Sequence, residues 1–185
     1  MSFFKRLFKR APEINSATAK IGEQVYLIRY RDHYARVFQG LAECAERLTP
    51  RRLAELFLFR AWTTQFGYRI FSSDAGASEK LIGETVNATM YLGLGCFELV
   101  HGFSVEEELG SDFLALIEDR WWKYDEAVIA NRESARSIPT VAIVSALADQ
   151  LDLHDRFVEL RLTVDFLDQL DLVKRTAIEI GVLAE

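Results

Sequence analysis

Leu81–Phe103 reads LIGETVNATMYLGLGCFELVHGF, and the placement of its few polar positions decides the fold class. At about 3.6 residues per turn, Glu84, Asn87, Tyr91, Gly95, Glu98 and Gly102 fall on one narrow stripe. Leu81, Ile82, Val86, Met90, Leu92, Leu94, Phe97, Leu99 and Val100 cover most of the remaining surface. A helix apolar on nearly all sides is predicted to lie in the middle of its domain, with other helices packed around it.

Upstream, Ser72–Ala77 (SSDAGA) is a turn, preceded by a helix predicted to run from Pro50 to about Phe71. Thr49 is its N-cap and Pro50 its first helical residue, where a missing N–H costs nothing. Before it, residues 16–48 keep a helical period, with Ile21, Val25, Ile28, Asp32 or His33, Val37, Leu41, Cys44 and Leu48 drifting along one face. Arg47 near its end suits the negative end of the helix dipole. Residues 2–10, SFFKRLFKR, place Phe3, Phe4, Leu7 and Phe8 on one side of a short helix and Lys5, Arg6, Lys9 and Arg10 on the others, and Pro12 breaks it.

Downstream, Ser104-Val-Glu-Glu107 has the form of a capping box and opens a helix that Gly110 and Ser111 divide. Phe113, Ile117, Trp121, Tyr124 and Val128 then form a core stripe ending near Ala130. Ser137-Ile-Pro139 opens a short apolar helix, Thr140–Leu151, followed by a turn or a pass-through at residues 152–154. In the last segment Leu153, Phe157, Leu160, Val164 and Leu167 alternate at spacings of four and three, continued by Leu170, Val173, Ala177, Ile180 and Ala184. This reads as the buried seam, with Asp165, Asp168 and Asp171 on the solvated side. Convincing period-two alternation is missing. The prediction is an all-α, single-domain bundle of six or seven helices over residues 13–185, with residues 1–12 as a basic amphipathic N-terminal helix and break.

A chain of 185 residues with 50% hydrophobic residues, 3 Pro and 10 Gly is large enough and apolar enough to bury a core without disulfides or metal. Cys44 and Cys96, far apart on helical patterns, are expected to be buried thiols in a reducing compartment. No apolar run reaches the ~20 residues of a membrane span. The N-terminus lacks the continuous apolar region of a secretory signal, so a cytoplasmic body is expected. Net charge is −6, and Lys5, Arg6, Lys9 and Arg10 contribute +4 of it, leaving −10 for the remainder. An acidic body argues against general nucleic-acid binding, which neutralises phosphates with Lys and Arg.

Several groups of residues could carry chemistry. Glu98 and His101 have the Glu-x-x-His spacing that lets both side chains reach one metal; di-iron bundles use two such pairs and two further Glu, and one pair is present here. The structural alternative is a polar seam for close helix approach. Residues 26–38, YLIRYRDHYARVF, interleave aromatic rings with Arg29 and Arg36, and with Tyr30 and His33 they could hold a phosphorylated or aromatic ligand by forked hydrogen bonds and stacking. Their alternative is a surface row of ion pairs with amphipathic Tyr at its boundary. The three Asp of the last segment could bind a divalent ion, against the plainer reading of a solvated face. Adjacent Trp121 and Trp122 cannot both enter one core: Trp121 fits the stripe, and Trp122, between Glu118 and Glu126, is a candidate protein contact. Signatures of nucleophilic catalysis and of nucleotide hydrolysis are missing from the sequence.

The strongest functional signal is the N-terminal helix: Phe3, Phe4, Leu7 and Phe8 suit the acyl boundary and Lys5, Arg6, Lys9 and Arg10 the headgroups of an anionic membrane. The alternative is docking on the acidic body. The leading expectation is a non-enzymatic cytoplasmic helical protein acting through a protein partner or homo-oligomer, attached peripherally to the inner membrane surface by residues 2–10, with no cofactor or metal. The runner-up is a small-molecule or metal-binding bundle with its site between the central helix (Glu98, His101) and the first long helix (Arg29, Tyr30, His33, Arg36).

Overall fold

The computed structural model describes residues 49–72, 93–95, 97–98, 101–132 and 138–179. Among them there are helices and no strand. Five helices have both ends defined: α1 Pro50–Ser72, α2 Val105–Leu109, α3 Phe113–Asn131, α4 Thr140–Leu151 and α5 Arg156–Glu179. Residues 93–95, 97–98 and 101 are also helical and belong to the segment leading to α2. The described residues are therefore all-helical, as the sequence predicts. The N-terminal helix, the helix over 16–48, both cysteines and most of Leu81–Phe103 lie outside the described residues.

Local sequence explains most helix ends. Thr49 Oγ1 accepts the Arg52 N–H at 3.3 Å and Pro50 opens α1 as expected. Gly110, at φ 67°, ends α2 in the left-handed conformation, and its N–H bonds Glu106 O. Asp152, at φ 50°, does the same for α4, bonding Ala148 O and Asp149 O. The chain therefore turns there. Asp155 Oδ1 then accepts the Phe157 N–H at 2.8 Å and opens α5.

The capping box read at Ser104 and Glu107 does not form. Ser104 sits at the N-cap without a side-chain cap bond, and Glu98 Oε1, seven residues upstream, accepts the Val105 N–H at 3.0 Å. Glu106 Oε1 repeats the device on the Phe113 N–H of α3, again over seven residues at 3.0 Å. Two short connections thus draw their caps from the preceding helix, which fixes the angle between successive helices as well as the helix start. A cap that depends on tertiary approach leaves no local spacing signal.

Among the described residues α1 is the element the others surround. Residues 54–64 are buried without a break, although they include Glu55, Arg60, Thr63 and Thr64. One apolar cluster joins Leu56, Phe59, Trp62 and Phe66 of α1 to Tyr124 and Val128 of α3, Ile143, Val144 and Leu147 of α4, and Val158, Leu162, Phe166 and Leu170 of α5. A second joins Ala54, Phe57 and Leu58 to Phe97, Val105, Leu109, Phe113, Leu116 and Ile117. Trp121 packs against both. Aromatic rings fill the first cluster: Trp62 stacks on Phe66 with centroids 4.7 Å apart, and Tyr124 meets Phe59 edge-on at 5.1 Å.

Helix α5 lies along α1 with the same direction, since Arg60 meets Asp165, Thr64 meets Gln169, and Gly67 faces Leu170 and Val173. Gly67 permits that approach, because a Cβ there would stand 3.0 Å from Val173 Cγ1. The seam read at Phe157, Leu160, Val164 and Leu167 is corrected: these four side chains are exposed, and Val158, Leu162, Asp165, Phe166, Gln169, Leu170 and Val173 face the core. The helix carries two apolar faces. Only the inner one includes the carboxylate and amide that match polar groups of α1, and burying Arg60 without its carboxylate would cost several kcal/mol, roughly 3–5. Polar pairing therefore sets the rotation of α5.

Candidate functional site

The outer face of α3 is built by the stripe that faces inward. With Phe113, Ile117, Tyr124 and Val128 buried and Trp121 half-buried, helical geometry turns Ala115, Glu118, Trp122, Glu126 and Ile129 outward. Trp122 is 66% exposed and Ile129, two turns on, is 74% exposed. Acidic side chains separate them. Asp119 lies beside this face, where it accepts from Lys123 Nζ at 3.0 Å and also pairs with Arg120. The Lys123 hydrogen bond, followed by the charges of Lys123 and Arg120, holds its carboxyl below the usual range. Lys123 is therefore committed to Asp119. The stripe is an indole and an aliphatic side chain in an acidic frame, suited to an apolar pocket rimmed by Lys or Arg. Sequence reasoning singled out Trp122 and missed Ile129, although the seven-residue spacing would have joined them.

Beneath that face lies a buried ionic and polar network. Arg60, fully buried, donates from Nη2 to Asp165 Oδ1 at 2.6 Å and Oδ2 at 2.7 Å. Gln169 Nε2 donates to Arg60 O at 2.8 Å and to Thr64 Oγ1 at 3.2 Å. On the other side of α1, Arg120 holds Glu55 with both arms, Nε to Oε2 at 2.7 Å and Nη2 to Oε1 at 2.6 Å. That pairing pushes the Arg120 guanidinium pKa upward. Burial pushes the Tyr124 phenol up as well, with the Glu55 carboxylate adding to it. Trp62 Nε1 donates to Asp125 Oδ1 at 3.0 Å. These bonds bind α1 to α3 and α5.

Glu98 serves as the cap of α2 described above. The His101 ring packs between Phe97 and Phe103, at centroid distances of 4.6 and 5.9 Å, and burial pulls its pKa down. Of the three aspartates read as a solvated row, Asp165 is only 6% exposed and ion-paired, so that reading is corrected for it. Asp168 and Asp171 are exposed as read. Among the described residues there is no group of three His, Cys, Asp or Glu arranged to hold a metal, and no helix is long and apolar enough to cross a membrane. Arg29, Tyr30, His33, Arg36 and the membrane-directed residues Phe3, Phe4, Lys5, Arg6, Leu7, Phe8, Lys9 and Arg10 lie outside the described residues. Compared with known proteins, the chain matches no family model, no curated protein and no solved structure.

Proposed function

We propose that this protein works through protein–protein contact made by Trp122 and Ile129 on the outer face of α3, at an anionic membrane surface to which residues 2–10 attach it from the cytoplasmic side. The observation that carries the reading is the exposure of these two large side chains, 66% and 74%, on a helix where Phe113, Leu116, Ile117, Tyr124 and Val128 are buried and Trp121 is half-buried. An exposed indole is an effective anchor because it desolvates a large area while few rotatable bonds are frozen. Glu118 and Glu126 on either side select a partner with a basic rim and disfavour an acidic one. The basic N-terminal segment, set against an acidic remainder, supplies the surface attachment.

In Trp122→Ala the folding free energy is expected to change by no more than about 0.5 kcal/mol, as at exposed sites generally. Self-association in sedimentation, or capture of the partner, should weaken at least thirtyfold, equivalent to about 2 kcal/mol. Unchanged association with the fold intact would remove the contact.

Membrane attachment is tested separately by flotation with anionic and neutral liposomes, comparing the full chain with one lacking residues 1–10. Only the full chain should float, only with anionic lipid, and less as salt shortens the screening length. If neither chain floats and the shortened one is less stable, residues 2–10 belong to the fold instead.

A further inference from the structure

Two exposed apolar stripes lie on different helices, and the charges that border them are complementary. On α3 the stripe is Trp122 and Ile129, framed by Glu118 and Glu126. On α5 it is Phe157, Leu160, Val164 and Leu167, each 47–59% exposed, with Arg156 and Arg161 exposed toward its N-terminal end. Arg161 lies over the Phe157 ring, 6.0 Å from its centroid, so this end presents apolar surface beside cations. We propose that the outer face of α3 in one copy docks on the outer face of α5 in a second copy of this chain. The inference rests on the contact role of Trp122 and names its partner.

The two stripes match in spacing. Trp122 and Ile129 are seven residues apart, as are Phe157 and Val164, and Leu160 and Leu167, or about 10.5 Å along each helix. Charge chooses the direction. On α3 the acids Glu118 and Glu126 come first and Arg132 follows the end of the helix, whereas on α5 the arginines come first and Asp168 and Asp171 after them. Packed in the same direction, with Trp122 level with Phe157 and Ile129 with Val164, Glu126 comes beside Arg156 and Arg132 reaches the level of Asp168. The opposite direction turns Glu118 toward Asp168 and Asp171, which like charge disfavours.

The same charges disfavour pairing each stripe with its own copy. A two-fold contact between α3 stripes brings the two Glu126 side chains together near the axis, and one between α5 stripes does so with Arg161. The contact of α3 with α5 is therefore head-to-tail, and a dimer still carries one free stripe of each kind. Helix α4 packs against both α3 and α5, which keeps their outer faces apart, so one copy can use both at once. Assembly then continues past the dimer into a ring or a filament.

The test is sedimentation velocity of the full chain over a concentration series, where the native chain is expected to grow past the dimer. Trp122→Ala disables one stripe and Leu160→Glu the other, both at exposed positions. Each variant alone is expected to be monomeric, with native helix content by circular dichroism. Mixed in equal amounts they hold one intact stripe of each kind and should form a 1:1 dimer that grows no further. Glu126→Arg should weaken association by about tenfold or more, and Arg156→Glu in the same chain should restore it. A dimer that survives in Leu160→Glu but is lost in Trp122→Ala overturns the inference and leaves the contact role of Trp122 standing. A native chain that stays monomeric throughout, or a mixture that does, overturns it as well.

Discussion

Asp165→Ala is expected to lower the unfolding free energy by about 3–5 kcal/mol, the cost of breaking a buried ion pair by removing its carboxylate. Arg60 is fully buried and its Nη2 is held by both carboxylate oxygens within 2.7 Å. The guanidinium cannot lose its charge at any ordinary pH, so removal of the carboxylate leaves a cation in a low-dielectric interior. The loss is read as a fall in the urea midpoint at constant slope. Asp168→Ala and Asp171→Ala, on the exposed side of the same helix, should each stay within about 0.5 kcal/mol. Three equal and small effects would mean that α5 is rotated with its Asp row outward.

Trp62→Ala should cost a comparable amount, about 3–5 kcal/mol, by a different mechanism. The indole is fully buried, stacks on Phe66 and lies within 5.8 Å of Phe59 and 5.2 Å of Tyr124. Those rings come from two helices and cannot collapse into the space without moving α3 against α1. Trp62→Phe separates the ring from its N–H: it keeps most of the stacking and loses the 3.0 Å bond to Asp125. Its expected cost is about 1–3 kcal/mol, because the acceptor loses a partner in a partly buried site. Equal losses in the two variants would show that the hydrogen bond, and not the ring, holds α3 to α1.

The interior explains why the acidic body folds despite its charge. Two arginines, Arg60 and Arg120, neutralise two buried carboxylates from different helices. Most of the remaining acids among the described residues are at the surface, where self-repulsion is screened. The charge on α3 and α5 is thus divided between an inner set that orients helices and an outer set that frames the exposed apolar side chains. Trp122 has an acidic border and Leu160 a mixed one.

Helix content and several boundaries were legible in the sequence because they depend on local chemistry. Thr49-Pro50, Gly110 and the apolar run Thr140–Leu151 each end or begin a helix where the pattern places it. The inward stripe of α3 was also legible, since its apolar residues occupy a single face, and with it the division between half-buried Trp121 and exposed Trp122. The cap of α2 was not: Glu98 reaches it from the preceding helix, and the nearer Ser104 makes no side-chain cap bond.

By itself the sequence determined that the described segments are helical, where several helices start and stop, and that Trp122 stands outside the core, because backbone propensity, caps and one-faced periodicity act over a few residues. Only the tertiary structure decided that α1 lies at the centre of the described helices and which face of α5 is inside. Glu55 and Arg60 put charge in the middle of α1, and Asp165 and Arg120 from other helices neutralise it there. The two apolar faces of α5 are equivalent to any periodicity, and the choice falls to the one whose carboxylate and amide complete the buried polar groups of another helix.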